Sequence, residues 1–183
     1  VQAERTCVPS RVFWDQLAAL TKVRRERSDQ EGKFLQLSLH GAQMVIQLDD
    51  PEHFNTFSTG LGKDMRRAVQ HIRVQPCVAS VVLQGAGPHF SVGGNPYTIR
   101  GSHVMSPAAS ALNLCELYNG FVKLRTLPHL VVGAVHGALV GGGVAGCLHS
   151  DYLAADHAST FEHGNLVRGA VSYTHLRAHE THN

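Results

Sequence analysis

At 183 residues, with 43% hydrophobic and 16% charged side chains, the chain has the composition of one globular domain with room for a sizeable core. A formal net charge of +2, with Lys and Arg dispersed along the sequence, argues against nucleic acid as a partner, and no stretch approaches the roughly 20 consecutive apolar residues that span a bilayer. Cys7, Cys77, Cys115 and Cys147 form no C-x-x-C pair, so neither a zinc knuckle nor a secreted disulfide framework is expected, and they read as reduced, buried thiols of an intracellular protein, in the cytoplasm or an organelle.

The N-terminus lacks the ordered basic, apolar and small-residue segments of a signal peptide, and the absence of an initial Met reads as a fragment. Within residues 1–33, Phe13, Leu17 and Leu20 fall at helical spacing before a charged run that ends at Gly32, which predicts a linker or lead-in helix. "FLQLSL" and "QMVIQL", separated by "HGA", alternate like the two strands of a hairpin. "DDPEHFNTFS" is then expected to be a polar loop. Leu61, Met65, Ala68, Val69 and Ile72 make a helical stripe, and "VASVVLQGAG" predicts a buried strand ending in glycines. "HFSVGGNPY" predicts a loop, "AASALNLCELYNGFVKL" a second amphipathic helix closing before Pro128, and "HLVVGAV" another buried strand. The glycines that follow open a further helix, "DYLAA" is a short strand and "STFEH" one more. Repeated strand-helix-strand units imply an α/β domain with right-handed crossovers.

The last stretch is expected to have a different origin. "VSYTHLRAHET", Val171 to Thr181, looks like a translated reading frame of a transposon-end sequencing adapter, so residues 171–183 are expected to be a non-native tail and the authentic domain to occupy 34–170. That removes His175, His179 and His182 from any metal-site clustering, and no metal is expected.

Two loops carry the chemistry. "FSVGGN" and "VGGGVAG" each follow a buried strand and present glycine backbone where a ligand can approach without a Cβ in the way. The second opens a helix, whose free N–H groups favour negative charge. There is no G-K-[ST] and no G-x-G-x-x-G in a strand-to-helix setting, so an oxyanion fits better than a phosphate. Two converging N–H donors stabilise such an oxygen, each worth on the order of 3 kcal/mol in a transition state. Taken singly, either loop is equally well explained by close helix-to-strand packing.

Together, "PEHFNTFS", "VVLQGAGPHFSVGGN" and "VVGAVHGALVGGGVAGCLHSDYLAADHASTFEH" resemble the crotonase, or enoyl-CoA hydratase/isomerase, superfamily, in the right order and spacing from about Phe34 to Gly169. The resemblance implies a crotonase-like spiral of strand-helix-strand turns, truncated at its C-terminus, that binds an acyl thioester on CoA or phosphopantetheine, uses no other cofactor and stabilises a thioester enolate. It places the two oxyanion-hole donors on the backbone of Gly94 and Gly142, and implies a homotrimer or hexamer for the full-length form.

The likeness breaks at the acids. Family hydratases carry one catalytic Glu two residues beyond the triple glycine and another after the next strand, where this chain has Ala145 and Asn165. Hydration without them lacks its general base and general acid, each worth roughly a hundredfold, so decarboxylation or double-bond isomerisation is expected in its place. "FSVGGNPYTIRG" is similar to decarboxylating members that act on polyketide intermediates tethered to acyl carrier proteins; Tyr97 matches their Tyr after a one-residue shift, but Gly101 stands where they have Lys. Many free-CoA members place Arg or Lys before the Asn of "PE-x-x-N"; Phe54 stands there, which favours a carrier-bound substrate.

Each remaining polar candidate has two readings. His163 is an acid or base beside the acyl pocket, or a packed histidine at its edge. Asn95 bonds substrate or caps the helix at "NPY". Tyr97 and Arg100 are candidates to meet a β-carboxylate or phosphopantetheine, His136 to line the thioester channel, Asp151 to cap a turn, and Glu162 to point away from the pocket. The rival from another class is a non-catalytic scaffold or thioester-binding module that keeps the fold after losing its acids.

Overall fold

The computed structural model describes residues 34–94 and 106–162; expectations for residues 1–33, Asn95, Tyr97, Arg100, Gly101, His163, Asn165 and the tail lie outside the described residues. The hairpin is β1 (Leu35–His40) and β2 (Gln43–Leu48), antiparallel with Leu37 opposite Ile46, and it turns at Gly41 with φ 61°. A chain that must take a left-handed turn here does so at the one residue without a Cβ.

From β2 onward the sheet is parallel. Helix α1 (Thr59–Arg73) carries the chain to β3 (Ser80–Gly85), and α2 (Pro107–Val122) leads to β4 (Leu130–Val135). A three-residue β5 (Ala138–Val140) precedes the short α3 (Gly142–Cys147), then come β6 (Tyr152–Ala155) and β7 (Thr160–Glu162). The five-stranded sheet runs β1-β2-β3-β4-β6, with Val45, Val82, Val132 and Tyr152 in register across β2, β3, β4 and β6. A second sheet pairs β5 with β7 in parallel. This is the expected α/β spiral of strand-helix-strand turns.

One face of the large sheet makes the core. Met44, Ile46 and Leu48 alternate inward from β2, Val81 and Leu83 from β3, and Val131 and Val135 from β4. They meet Leu61, Met65, Ala68, Val69 and Ile72, the stripe that the spacing predicts on α1. Ser58 caps α1 by accepting from Leu61 N at 3.1 Å, and Ser106 with Pro107 behind it starts α2 in the same way.

α2 departs from its expected pattern. Leu112 and Leu114 are 68% and 57% exposed, and only Gly120 and Phe121 are fully buried. The cause is a glycine crossing near the helix C-terminus. A Cβ on Gly62 would stand 2.5 Å from Leu117 O, and one on Gly120 would run into Gly62 O and lie 2.9 Å from Met65 Cβ. Backbone meets backbone there, and one turn earlier Arg66 spans the groove to Glu116, Nη2 to Oε2 at 3.0 Å. That hydrogen bond holds the Glu116 carboxyl below its usual range.

Three further expectations are corrected. The "polar loop" before α1 contains a 3-10 turn (Pro51–His53) and two of the most buried side chains, Asn55 at 1% and Phe57 at 0% exposure. The helix opened by the glycines has only six residues and is preceded by β5, so its dipole is small and backbone amides rather than a macrodipole must do any anion binding. Of the cysteines, Cys77 is disulfide-bonded, Cys115 is exposed and Cys147 is buried, so a reduced, buried thiol describes Cys147 alone among the described residues. No helix among the described residues is long and apolar enough to cross a membrane.

Gly120→Ala should therefore cost about 1–3 kcal/mol, the usual range for overpacking, whereas Gly41→Asn, at a left-handed turn with open space around it, should stay within about 0.5 kcal/mol of the parent. Urea denaturation of the two variants side by side measures the contrast.

Candidate active site

The strand exits of β3 and β4 lie side by side, and their loops interlock. Phe90 N donates to His136 O at 2.9 Å and Val140 N to Ser91 O at 3.2 Å, so the two loops run as partners. Isolated parallel bridges join Ser91 to Leu139 and Phe57 to Gly94. Glycines permit the approach: a Cβ on Gly93, which has φ 82°, would collide with Val140 O and lie 2.8 Å from Gly142 N, and one on Gly143 would collide with Ser91 O.

This contact brings Gly94 and Gly142 together. At the Phe57–Gly94 bridge the ladder bond runs from Phe57 N to Gly93 O at 2.7 Å. In a parallel ladder the amides of successive residues point to opposite edges, so the Gly94 N–H faces away from Phe57. That direction holds Gly142: its absent Cβ would lie 3.4 Å from Gly94 N. Among the described residues neither amide has an acceptor. Two adjacent N–H groups without a described acceptor, one in the buried Gly142 and one in the half-buried Gly94, are what a developing oxyanion requires.

The polar hub beneath the first loop is Asn55, held in the left-handed region at φ 54°. Its Nδ2 donates to Ala86 O at 2.8 Å and His89 O at 2.9 Å, with Phe90 O at 3.1 Å, and its Oδ1 accepts from Asp50 N at 2.9 Å. Ser91, fully buried, donates from Oγ to Asn55 O at 2.7 Å and accepts from Gly93 N at 3.2 Å. One amide side chain thus satisfies the carbonyls of the turn that presents Gly93 and Gly94. Composition hid this residue, because Asn in a polar stretch is ordinarily a surface turn; the "PE-x-x-N" spacing was the only signal.

Histidines join the loops further out. His136 Nε2 donates to Gly87 O at 2.8 Å, so the ring ties the exit of β4 to that of β3, and His89 Nδ1 accepts from Ala138 N at 3.2 Å. Asp151 Oδ2 accepts from Val131 N at 2.8 Å, a bond to the start of β4 across 20 residues in place of the local turn cap expected of it. Glu162 is exposed and is tied to the glycine loop by its backbone, Gly141 N donating to its carbonyl at 2.9 Å. Phe54 is 47% exposed and tilts over His89 with ring centroids 5.4 Å apart.

The first turn of α3 carries no carboxylate: Ala145, whose N donates to Gly141 O at 3.1 Å, is half-buried. Cys147, one turn along, is no substitute nucleophile, because burial pushes its thiol up to about 11 and keeps it protonated at neutral pH. A different side chain comes close: a Cβ on Gly142 would stand 2.9 Å from the Tyr118 hydroxyl. Helical periodicity gives no hint of this, since the crossing of α2 over α1 decides where its residues end.

A profile of the family described as enoyl-CoA hydratase/isomerase matches residues 40–176. The chain belongs to this family. Its relatives include EchA14 of Mycobacterium tuberculosis, which carries the name enoyl-CoA hydratase and is 31% identical over 126 residues, 69% of this chain and 48% of the relative. A crystal structure of an enoyl-CoA hydratase from Polaromonas sp. JS666 superposes with a TM-score of 0.71 at 26% identity, covering 74% of this chain and 52% of that one. One from Shewanella pealeana gives 0.70 at 21% identity, covering 80% and 52%, which speaks for the crotonase fold. The chain spans about half the length of these proteins.

Asn55→Ala strands the carbonyls of Ala86, His89 and Phe90 and should cost on the order of 3 kcal/mol in denaturant unfolding. Asn55→Asp should be more stable at acid pH and lose stability as pH rises. Facing carbonyl oxygens, its carboxyl titrates higher in the folded chain than in the unfolded one, so the contribution disappears as the acid ionises. In native-state alkylation at neutral pH, iodoacetamide should label Cys115 and spare Cys147, with mass spectrometry locating the adduct.

Proposed function

We propose that the whole protein is an acyl-thioester enzyme that holds the thioester oxygen between the backbone N–H groups of Gly94 and Gly142 and stabilises the enolate formed there. The observation that carries this reading is the juxtaposition of the two amides, without acceptors among the described residues, across a glycine contact that leaves no room for a side chain. The substrate class, an acyl-CoA, is supported by family membership and by the enoyl-CoA hydratases among the relatives.

The reaction beyond the enolate is decarboxylation or double-bond isomerisation in preference to hydration. In decarboxylation the carbon–carbon bond to a β-carboxyl breaks, carbon dioxide leaves, and the electron pair becomes the enolate whose oxygen the two amides receive; a proton then returns to carbon. No carboxylate has to activate water, which suits a site with Ala145 where a hydratase carries Glu. Phe54, in place of a cation that would meet the nucleotide phosphates, supports a substrate carried on the phosphopantetheine of a carrier protein alongside free CoA. Asn95, Tyr97, Arg100 and His163 are proposed contacts of the acyl group or its carrier.

Incubation of the full chain with 3-methylglutaconyl-CoA, a 3-enoyl-CoA and crotonyl-CoA, following carbon dioxide, double-bond migration and water addition, tests the reading. Turnover of either of the first two with none of the third is expected. Binding without turnover of any would move the protein to the thioester-binding module. Gly142→Ala should lower kcat/KM roughly a hundredfold, because its methyl would lie 3.4 Å from Gly94 N in the space of the oxygen. Its melting temperature should stay close to the parent's, since the tightest contact, 2.9 Å from the Tyr118 hydroxyl, needs a shift of only a few tenths of an ångström at the end of one side chain.

A further inference from the structure

We propose that the hydroxyl of Tyr118 is a third hydrogen-bond donor to the thioester oxygen, a catalytic group that partners the amides of Gly94 and Gly142. The inference rests on the oxyanion reading above and adds to it a side chain whose function neither the family match nor the sequence motifs point to. The missing Cβ of Gly142 marks a point 2.9 Å from the Tyr118 Oη and 3.4 Å from Gly94 N. The phenol therefore ends on the glycine face that borders the pair of amides.

Its placement is held by packing. The ring meets Phe57 edge-on, with centroids 6.0 Å apart and planes at 66°, and Phe57 in turn stacks on Phe121 at 4.3 Å. Phe57 and Phe121 are fully buried, whereas Tyr118 is half-buried, so its ring is clamped at the core end while its polar tip reaches the loops. Such a division, an apolar body fixed and a hydroxyl presented, is how a tyrosine serves as an oriented donor. A phenol also brings no charge of its own at neutral pH, so it adds polarisation without repelling the enolate. In a site whose α3 lacks a carboxylate, it is a polar side chain that ends against Gly142.

The test uses the full chain, its Tyr118→Phe variant and a chain with 3,5-difluorotyrosine at position 118, each titrated with 4-dimethylaminocinnamoyl-CoA. The absorption of this thioester moves to the red when its carbonyl oxygen accepts hydrogen bonds. The parent should shift the band. Tyr118→Phe, which keeps the ring and its packing on Phe57, should give a smaller shift and roughly tenfold weaker binding, and the more acidic fluorinated phenol a larger shift than the parent. Equal shifts and equal affinities in the parent and the Phe variant would overturn the role of Tyr118 and leave the two-amide site standing. No red shift in the parent would overturn both readings.

Discussion

The site depends on one contact, the approach of two backbone segments more closely than any Cβ allows. Gly93 and Gly143 sit where an added methyl would strike Val140 O and Ser91 O, and Gly142 lies just beyond. Peptide planes, unlike side chains, have no rotamers to order, so amides fixed by such a contact are oriented before any ligand arrives. The ladder bond from Phe57 to Gly93 then settles which way the Gly94 amide faces. Geometry relevant to chemistry is thus written into the main chain, and glycine is the residue that permits it.

A close backbone approach leaves carbonyls stranded, and Asn55 answers that need. Buried carbonyls without donors cost free energy of the order of a lost hydrogen bond each, and the turn before Gly93 carries several of them. Asn55 serves this turn with one amide while Ser91 bridges it back to the Asn55 carbonyl. Fold stability and site geometry therefore share the same hydrogen bonds. The second loop is secured differently, through His136, through His89 and through the backbone of Glu162.

The chemistry that such a site supports is narrow. Ala145 offers no proton, and the buried Cys147 thiol keeps its own. Converging amides stabilise negative charge on oxygen and do little else, and the enolate reading is proposed on that ground together with the absence of a carboxylate from the first turn of α3. In the proposed function, family membership supports an acyl thioester as the source of that oxygen. The parallel sheet contributes by delivering both loops at the carboxyl ends of β3 and β4, the edge where open α/β sheets gather ligands.

Periodicity made the hairpin, the α1 stripe and the strands β3 and β4 legible from the amino-acid order, because each buries a face whose spacing is local, whereas β6 and β7 were legible as short apolar runs although every residue in them is exposed. The glycine runs by themselves fitted close packing equally well; it was the resemblance to the crotonase superfamily that placed the expected donors on Gly94 and Gly142. The amino-acid order did not show β5, whose three residues exist as a strand only through pairing with β7, nor the burial of Asn55 and Phe57, which polar neighbours disguised. Tyr118 is the clearest case: nothing in its own helix distinguishes it, and the glycine crossing between α1 and α2 carries its hydroxyl to Gly142. Local patterns thus determined the elements and the bare backbone. Which side chains meet across sequence separations of tens of residues was decided only when packing brought those elements together.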